Sequence, residues 1–109
     1  MKLVFAIVNV DDGGAVSNAL INAGHFVTRL SSDGGFLKAG NNTFLICAED
    51  SDVDSIVEII KKYSRKRRQY IPLFSGDSSI SQGGTMSPIE VPVGGATIFV
   101  SDIERFEKV

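Results

Sequence analysis

From Lys2 to Asn9 the chain is an almost unbroken apolar run of β-forming residues, the pattern of a strand buried on both faces. Asp11 and Asp12 follow as carboxylates suited to capping a helix. Val16, Ala19, Leu20 and Ala23 then recur at helical spacing, with Gly24 placed to end that helix. His25 to Ser32 returns to an extended pattern, Asp33-Gly34-Gly35 interrupts it, and Thr43 to Ala48 reads as a third strand.

Ser51 and Asp54 have the spacing of a capping box, with Asp in place of the usual Glu. Val53, Ile56, Val57 and Ile60 then line a second amphipathic helix that ends near Tyr63 or Ser64. Glu58 and Lys62 add an ion pair in the favourable order. The last strand region runs from Ile89 to Val100. Its apolar residues move from odd positions (Ile89, Val91, Val93) to even ones (Ala96, Ile98, Val100) across Gly94-Gly95, which predicts a bulge or hairpin turn there. A helical turn is expected in the tail, 102–109.

The order β-α-β-β-α-β predicts an α+β, ferredoxin-like fold in a single domain spanning residues 1–109. Two helices would cover one face of a four-stranded antiparallel sheet. The other face carries the second apolar side of the first strand, so self-association through that face is expected. One segment exceeds the minimal fold. Over about 65–88, between the second helix and the last strand, no helical or strand period is visible, which predicts a long flexible loop.

The formal net charge of -2 gives no global drive toward nucleic acid or an anionic membrane, and neither is expected as a partner. The run after Met1 is too short to span a bilayer and no cleavage-site pattern follows, so a cytoplasmic location is expected. The single cysteine, Cys47, lies in the run Phe44-Leu45-Ile46-Cys47-Ala48 and reads as a small buried hydrophobe on a strand. Arg65-Lys66-Arg67-Arg68 is either a solvated helix C-terminus, where cations suit the macrodipole, or a loop that contacts phosphate or a partner.

Catalytic chemistry is hard to assemble. His25 is the one histidine, and no nucleophile motif, metal-ligand spacing or phosphate-cradling glycine loop occurs. Neither an enzyme nor a bound cofactor is expected. Gly34-Gly35-Phe36-Leu37 supports two readings. In one it is a tight connection whose Phe36 tucks under the sheet. In the other, backbone bared by glycine approaches a ligand closely and the Phe36 ring stacks on a planar base. Asn41 can offer donors and an acceptor to a base edge, and Thr28 can donate to a phosphate oxygen.

Three stretches together resemble the cyclic-di-AMP receptor family of PII-like signalling proteins of Gram-positive bacteria. They are Ala6-Ile7-Val8, the run from Gly34 to Leu45 (GGFLxAGNxTFL), and the run from Glu90 to Val100 (EVxVGGATxFV). The resemblance spans essentially the whole chain. It implies a homotrimer with a cyclic dinucleotide at each subunit interface, embraced by Gly35, Phe36 and Leu37 and hydrogen-bonded by Thr28 and Asn41. It also implies a non-enzymatic role, in which the long loop relays ligand binding to an unidentified downstream protein.

The chain departs from that family at three positions. Receptors of this family that bind cyclic-di-AMP tightly carry Asn and Arg where Gly24 and Phe26 stand here, and relatives commonly have Gly where Cys47 stands. Alternation places Phe26 on the same side of its strand as Thr28, so a ring replaces a guanidinium that would face phosphate. Arg29, Lys38 and the Arg65–Arg68 cluster are the cations available to restore that contact. A different nucleotide or small molecule, or a ligand-free interaction module, are the alternative expectations.

Overall fold

The computed structural model describes residues 1–32, 40–71 and 89–109. Strand β1, Lys2–Asn9, lies at the centre of an antiparallel sheet, paired with β3 (Asn41–Ala48) on one side and β6 (Ala96–Asp102) on the other. Strand β2 (Val27–Ser32) pairs with β3, which gives the order β2-β3-β1-β6. This is the antiparallel α+β sheet of the ferredoxin-like arrangement.

Alternation along the strands divides the sheet into two faces. Val4, Ala6 and Val8 of β1 and Phe44, Ile46 and Ala48 of β3 are buried beneath helix α1 (Val10–Asn22), through Val16 and Leu20, and helix α2 (Val53–Tyr63), through Ile56 and Ile60. Each of these larger side chains contributes about 1.5–3 kcal/mol by leaving water. The opposite face holds Leu3, Phe5 and Ile7 of β1, each half-buried and, among the described residues, with no helix over it. The expected second apolar face of the first strand is present.

Local signals were resolved differently from expectation in several places. The α1 cap is Asn9, whose side-chain carbonyl accepts the Asp11 N–H at 2.8 Å. Asp11 and Asp12 therefore sit inside the first turn, where their charge suits the helix dipole. Gly24 does end the helix, at φ +91°, donating its N–H to the Ile21 carbonyl at 2.9 Å. Ser51 and Asp54 form no capping box. Asp50–Asp52 is a 3-10 turn that runs directly into α2, and the cap residue Asp52 bonds through its backbone N–H to the Glu49 carbonyl at 2.9 Å. The tail after Asp102 takes no regular structure; Ile103 instead donates its N–H to the Met1 carbonyl at 3.3 Å.

The largest departure lies beyond α2. Arg67–Ile71 forms a strand, β4, within the segment expected to be irregular, and it pairs with β5, Ile89–Val93, as a separate two-stranded ribbon. The change of parity at Gly94-Gly95 is therefore neither a bulge nor a hairpin turn. It is where the chain leaves the ribbon for the main sheet, with both glycines at positive φ, +84° and +85°. Those angles need glycine, and they redirect the chain within two residues. The Gly95 N–H donates to the Ser64 carbonyl and so pins the crossing point to the end of α2.

Candidate functional site

Thr28 is exposed on β2 opposite Leu45 of β3, on the face away from the helices. Asn41 opens β3 between Ser32 of β2 and Asn9 of β1, and shares the parity of Leu45, so it belongs to the same face. Four residues of β3 separate the two levels, about 13 Å along the strand. The fold thus brings Thr28 and Asn41 to one face but not into one contact set. Gly35, Phe36 and Leu37, expected to embrace a ligand, lie outside the described residues, as does Lys38.

Gly24, Phe26 and Cys47, the expected departures from the resembled family, all lie among the described residues. Phe26 stands immediately before β2 and is 91% exposed. Extending the β2–β3 register by one pair places it opposite Cys47. Cys47 is itself exposed, opposite Leu3 on the uncovered face, which corrects the expectation of a buried thiol. The odd positions of β3 point away from the helices, so membership of an apolar run did not make this residue part of the core. A Cβ on Gly24 would meet nothing within 4 Å, so only its positive φ restricts that position.

Arg29 does not reach the face that carries Thr28. It pairs with Phe44, a core residue, and its Nε–H donates to Asn42 Oδ1 at 2.9 Å on the helix side. Asn42 is 1% exposed and fills the position at which the apolar register of β3 turns polar. Gly13 of α1 lies against this pair: a Cβ there would be 2.8 Å from Asn42 Cγ and 2.9 Å from the Arg29 guanidinium.

Beside Gly13, the buried carboxylate of Asp12 receives the Arg67 guanidinium at 3.0 and 3.1 Å, one contact to each oxygen. The hydrogen bond to Asp12 raises the Arg67 pKa further above its ordinary value. Arg67 also donates to the Arg65 carbonyl at 3.2 Å. Within the basic cluster, then, Arg67 and Arg68 belong to a strand and Arg67 is committed to Asp12, rather than forming a solvated helix end. The sequence signal for these residues was present but unused. Arg29 and Asn42 are polar side chains at core-facing parity, where a polar group needs a buried partner.

Arg68 lies 3.7 Å from Glu90 of β5, whereas Arg65 and Lys66 border two open grooves at the end of α2. One, about 340 Å³, is lined by Lys61, Ser64, Arg65, Lys66 and the start of β6; the other, about 360 Å³, by Lys62 to Arg67 without Ser64. Neither is lined by Thr28 or Asn41. Among the described residues no cluster of His, Cys, Asp and Glu could hold a metal ion, and no helix is long and apolar enough to cross a membrane.

A crystal structure described as that of a functionally unknown protein from Pediococcus pentosaceus ATCC 25745 matches this chain at a TM-score of 0.75 with 38% sequence identity. The match covers 99% of this chain and 96% of that one. The family model described as "Cyclic-di-AMP receptor" matches residues 1–109. Matched over its whole length by that model, the chain belongs to the cyclic-di-AMP receptor family.

Proposed function

We propose that the protein is a non-enzymatic PII-like signal-transduction protein that binds cyclic-di-AMP at the interfaces of a homotrimer. The observation that carries this reading is the uncovered sheet face. There Thr28, Asn41 and Cys47 share one side of β2 and β3 with the half-buried Leu3, Phe5 and Ile7 and the exposed Leu30 and Phe99. An apolar sheet face bordered by polar ligand-type side chains suits a site completed by a second copy. Phe36 stacks on an adenine, backbone at Gly35 and Leu37 reads its edge, and Thr28 and Asn41 supply further polar contacts. The chain between α2 and β6 relays occupancy to a downstream protein in the cytoplasm.

A second reading is favoured by one observation. Phe26, 91% exposed beside Thr28, offers a ring where relatives offer a guanidinium, which suits a ligand of lower charge density than a cyclic dinucleotide. Calorimetric titration with cyclic-di-AMP, ATP and cyclic-di-GMP separates the two, with Thr28→Ala and Phe36→Ala as controls. Heat from cyclic-di-AMP alone, lost in both variants, supports the first reading. Preference for another nucleotide supports the second. No heat from any of the three leaves a ligand-free interaction module.

A further inference from the structure

Asn41 is held from three directions by the beginning of α1. Its neighbour Gly40 accepts the Val10 N–H at 3.1 Å. Its other neighbour, Asn42, packs its side chain against Gly13. Across the sheet, Asn41 faces Asn9, the residue that caps α1. Both peptide units of Asn41 are therefore set by the position of the first helical turn. That turn also carries a charged link outward: Asp12, buried within it, is gripped through both oxygens by Arg67 of β4.

We propose that Asp12 and Arg67 are positioning residues for the nucleotide site, fixing Asn41 through the first turn of α1 and tying that residue to the β4–β5 ribbon. The inference rests on the cyclic-di-AMP reading given above. Its physical basis is direct. A two-point guanidinium–carboxylate contact sets orientation as well as distance. Removing Arg67 leaves the Asp12 carboxylate buried without its cation, so the turn must move toward water. A shift of about an ångström breaks the Val10–Gly40 hydrogen bond, since such bonds weaken steeply outside their normal range. Because the same pair anchors the ribbon, ligand contact at Asn41 and the state of the ribbon are linked, and linkage acts in both directions.

The test compares the full-length protein with Arg67→Met, Arg67→Lys and the exchanged pair Asp12→Arg/Arg67→Asp. Hydrogen exchange without ligand is followed at Val10, the donor to Gly40, over 40–48 and over the ribbon, and cyclic-di-AMP affinity is measured by calorimetry. Arg67→Met is expected to speed exchange at Val10 and at 40–42 and to weaken binding by about 2- to 30-fold. Arg67→Lys, which keeps the cation but replaces the two-point contact with a single one, is expected to restore only part of both. Faster exchange confined to 67–71 and 89–93 overturns the proposal, and so does unchanged affinity when exchange at 40–42 has risen. If Arg67→Met unfolds, the Lys and exchanged-pair variants carry the comparison under the same criteria. If the unmodified protein binds no cyclic-di-AMP, the functional reading fails by itself, and the exchange experiment still decides whether Arg67 holds the 40–42 segment.

Discussion

Gly13 and Asn42 meet without room for a single methyl group: a Cβ on Gly13 would stand 2.8 Å from Asn42 Cγ, the carbon that carries the acceptor for Arg29. Helix propensity favours alanine over glycine by about 1 kcal/mol, whereas overpacking a filled site costs about 1–3 kcal/mol. Gly13→Ala is therefore expected to destabilise the fold. At the next position a Cβ meets nothing within 4 Å, so Gly14→Ala is expected to stabilise by about 0.5–1 kcal/mol. Urea unfolding of the two variants tests the pair, and matching shifts in the same direction would contradict this geometry.

The crossing from ribbon to sheet predicts a second asymmetry between adjacent glycines. A Cβ on Gly94 would lie 2.5 Å from the Arg65 carbonyl oxygen and 2.7 Å from the Arg67 guanidinium. On Gly95 it would meet the flexible Lys66 side chain, at 3.0 Å or more. Both positions carry a positive φ and share a backbone penalty of about 1–2 kcal/mol. Only Gly94→Ala also collides with backbone. Thermal melts are expected to place Gly94→Ala clearly below Gly95→Ala.

Phe5 and Phe99 are Cα partners on the uncovered face, and Phe99 is 56% exposed. If copies associate through this face, Phe99→Asp places a charge in a desolvated apolar contact and weakens assembly. Light scattering is expected to show three copies for the unmodified protein and smaller species for the variant. A monomer in both cases would remove the interface on which the proposed site depends.

Phe26 has the space to become an arginine, being 91% exposed. A recovered charged hydrogen bond is worth about 1.5–3 kcal/mol, so Phe26→Arg is expected to tighten cyclic-di-AMP binding roughly tenfold or more. Gly24→Asn should add less, because its φ of +91° strains any side chain and offsets part of the gain. Calorimetry on the single and double variants measures both effects. No gain from Phe26→Arg would mean that this position does not face phosphate.

Lys2 links the start of β1 to the end of β6 by donating to the Asp102 carboxylate, and that hydrogen bond raises its pKa above 10.5, against a smaller lowering by burial. The pair's stabilisation is complete below the ordinary lysine value and disappears as pH rises through the raised one. From neutral pH upward, the stability difference between the unmodified protein and Lys2→Met should persist until strongly alkaline conditions. An NMR titration should find Lys2 above 10.5 and lower in Asp102→Asn.

Much of the fold could be read from pattern because the cause of each element was local. The β1 run, the 3.6-residue periodicity of both helices and the glycine that ends α1 appear where composition places them. The Asn9 cap was misread because two aspartates next to it have equally good capping chemistry, and the choice depends on where the strand releases the chain. The capping box at Ser51 lost to a 3-10 turn for a related reason: the turn's own backbone bonds already satisfied the helix entry. Strand β5 showed in the alternation of Ile89, Val91 and Val93, but β4 was hidden because it is short and begins with two charges, and its pairing with β5 bridges residues 72–88.

The sequence by itself determined the two helices and the strands of the main sheet, the apolar face of those strands, and to which family the chain is similar, since these follow from spacing and residue type. Tertiary structure alone decided which polar residues meet. Arg29 met Asn42 across two strands, and Arg67 crossed fifty-five positions to reach Asp12. The physical reason is that a charged side chain finds its partner through the fold's geometry, and one-dimensional spacing carries no information about distance between residues so far apart.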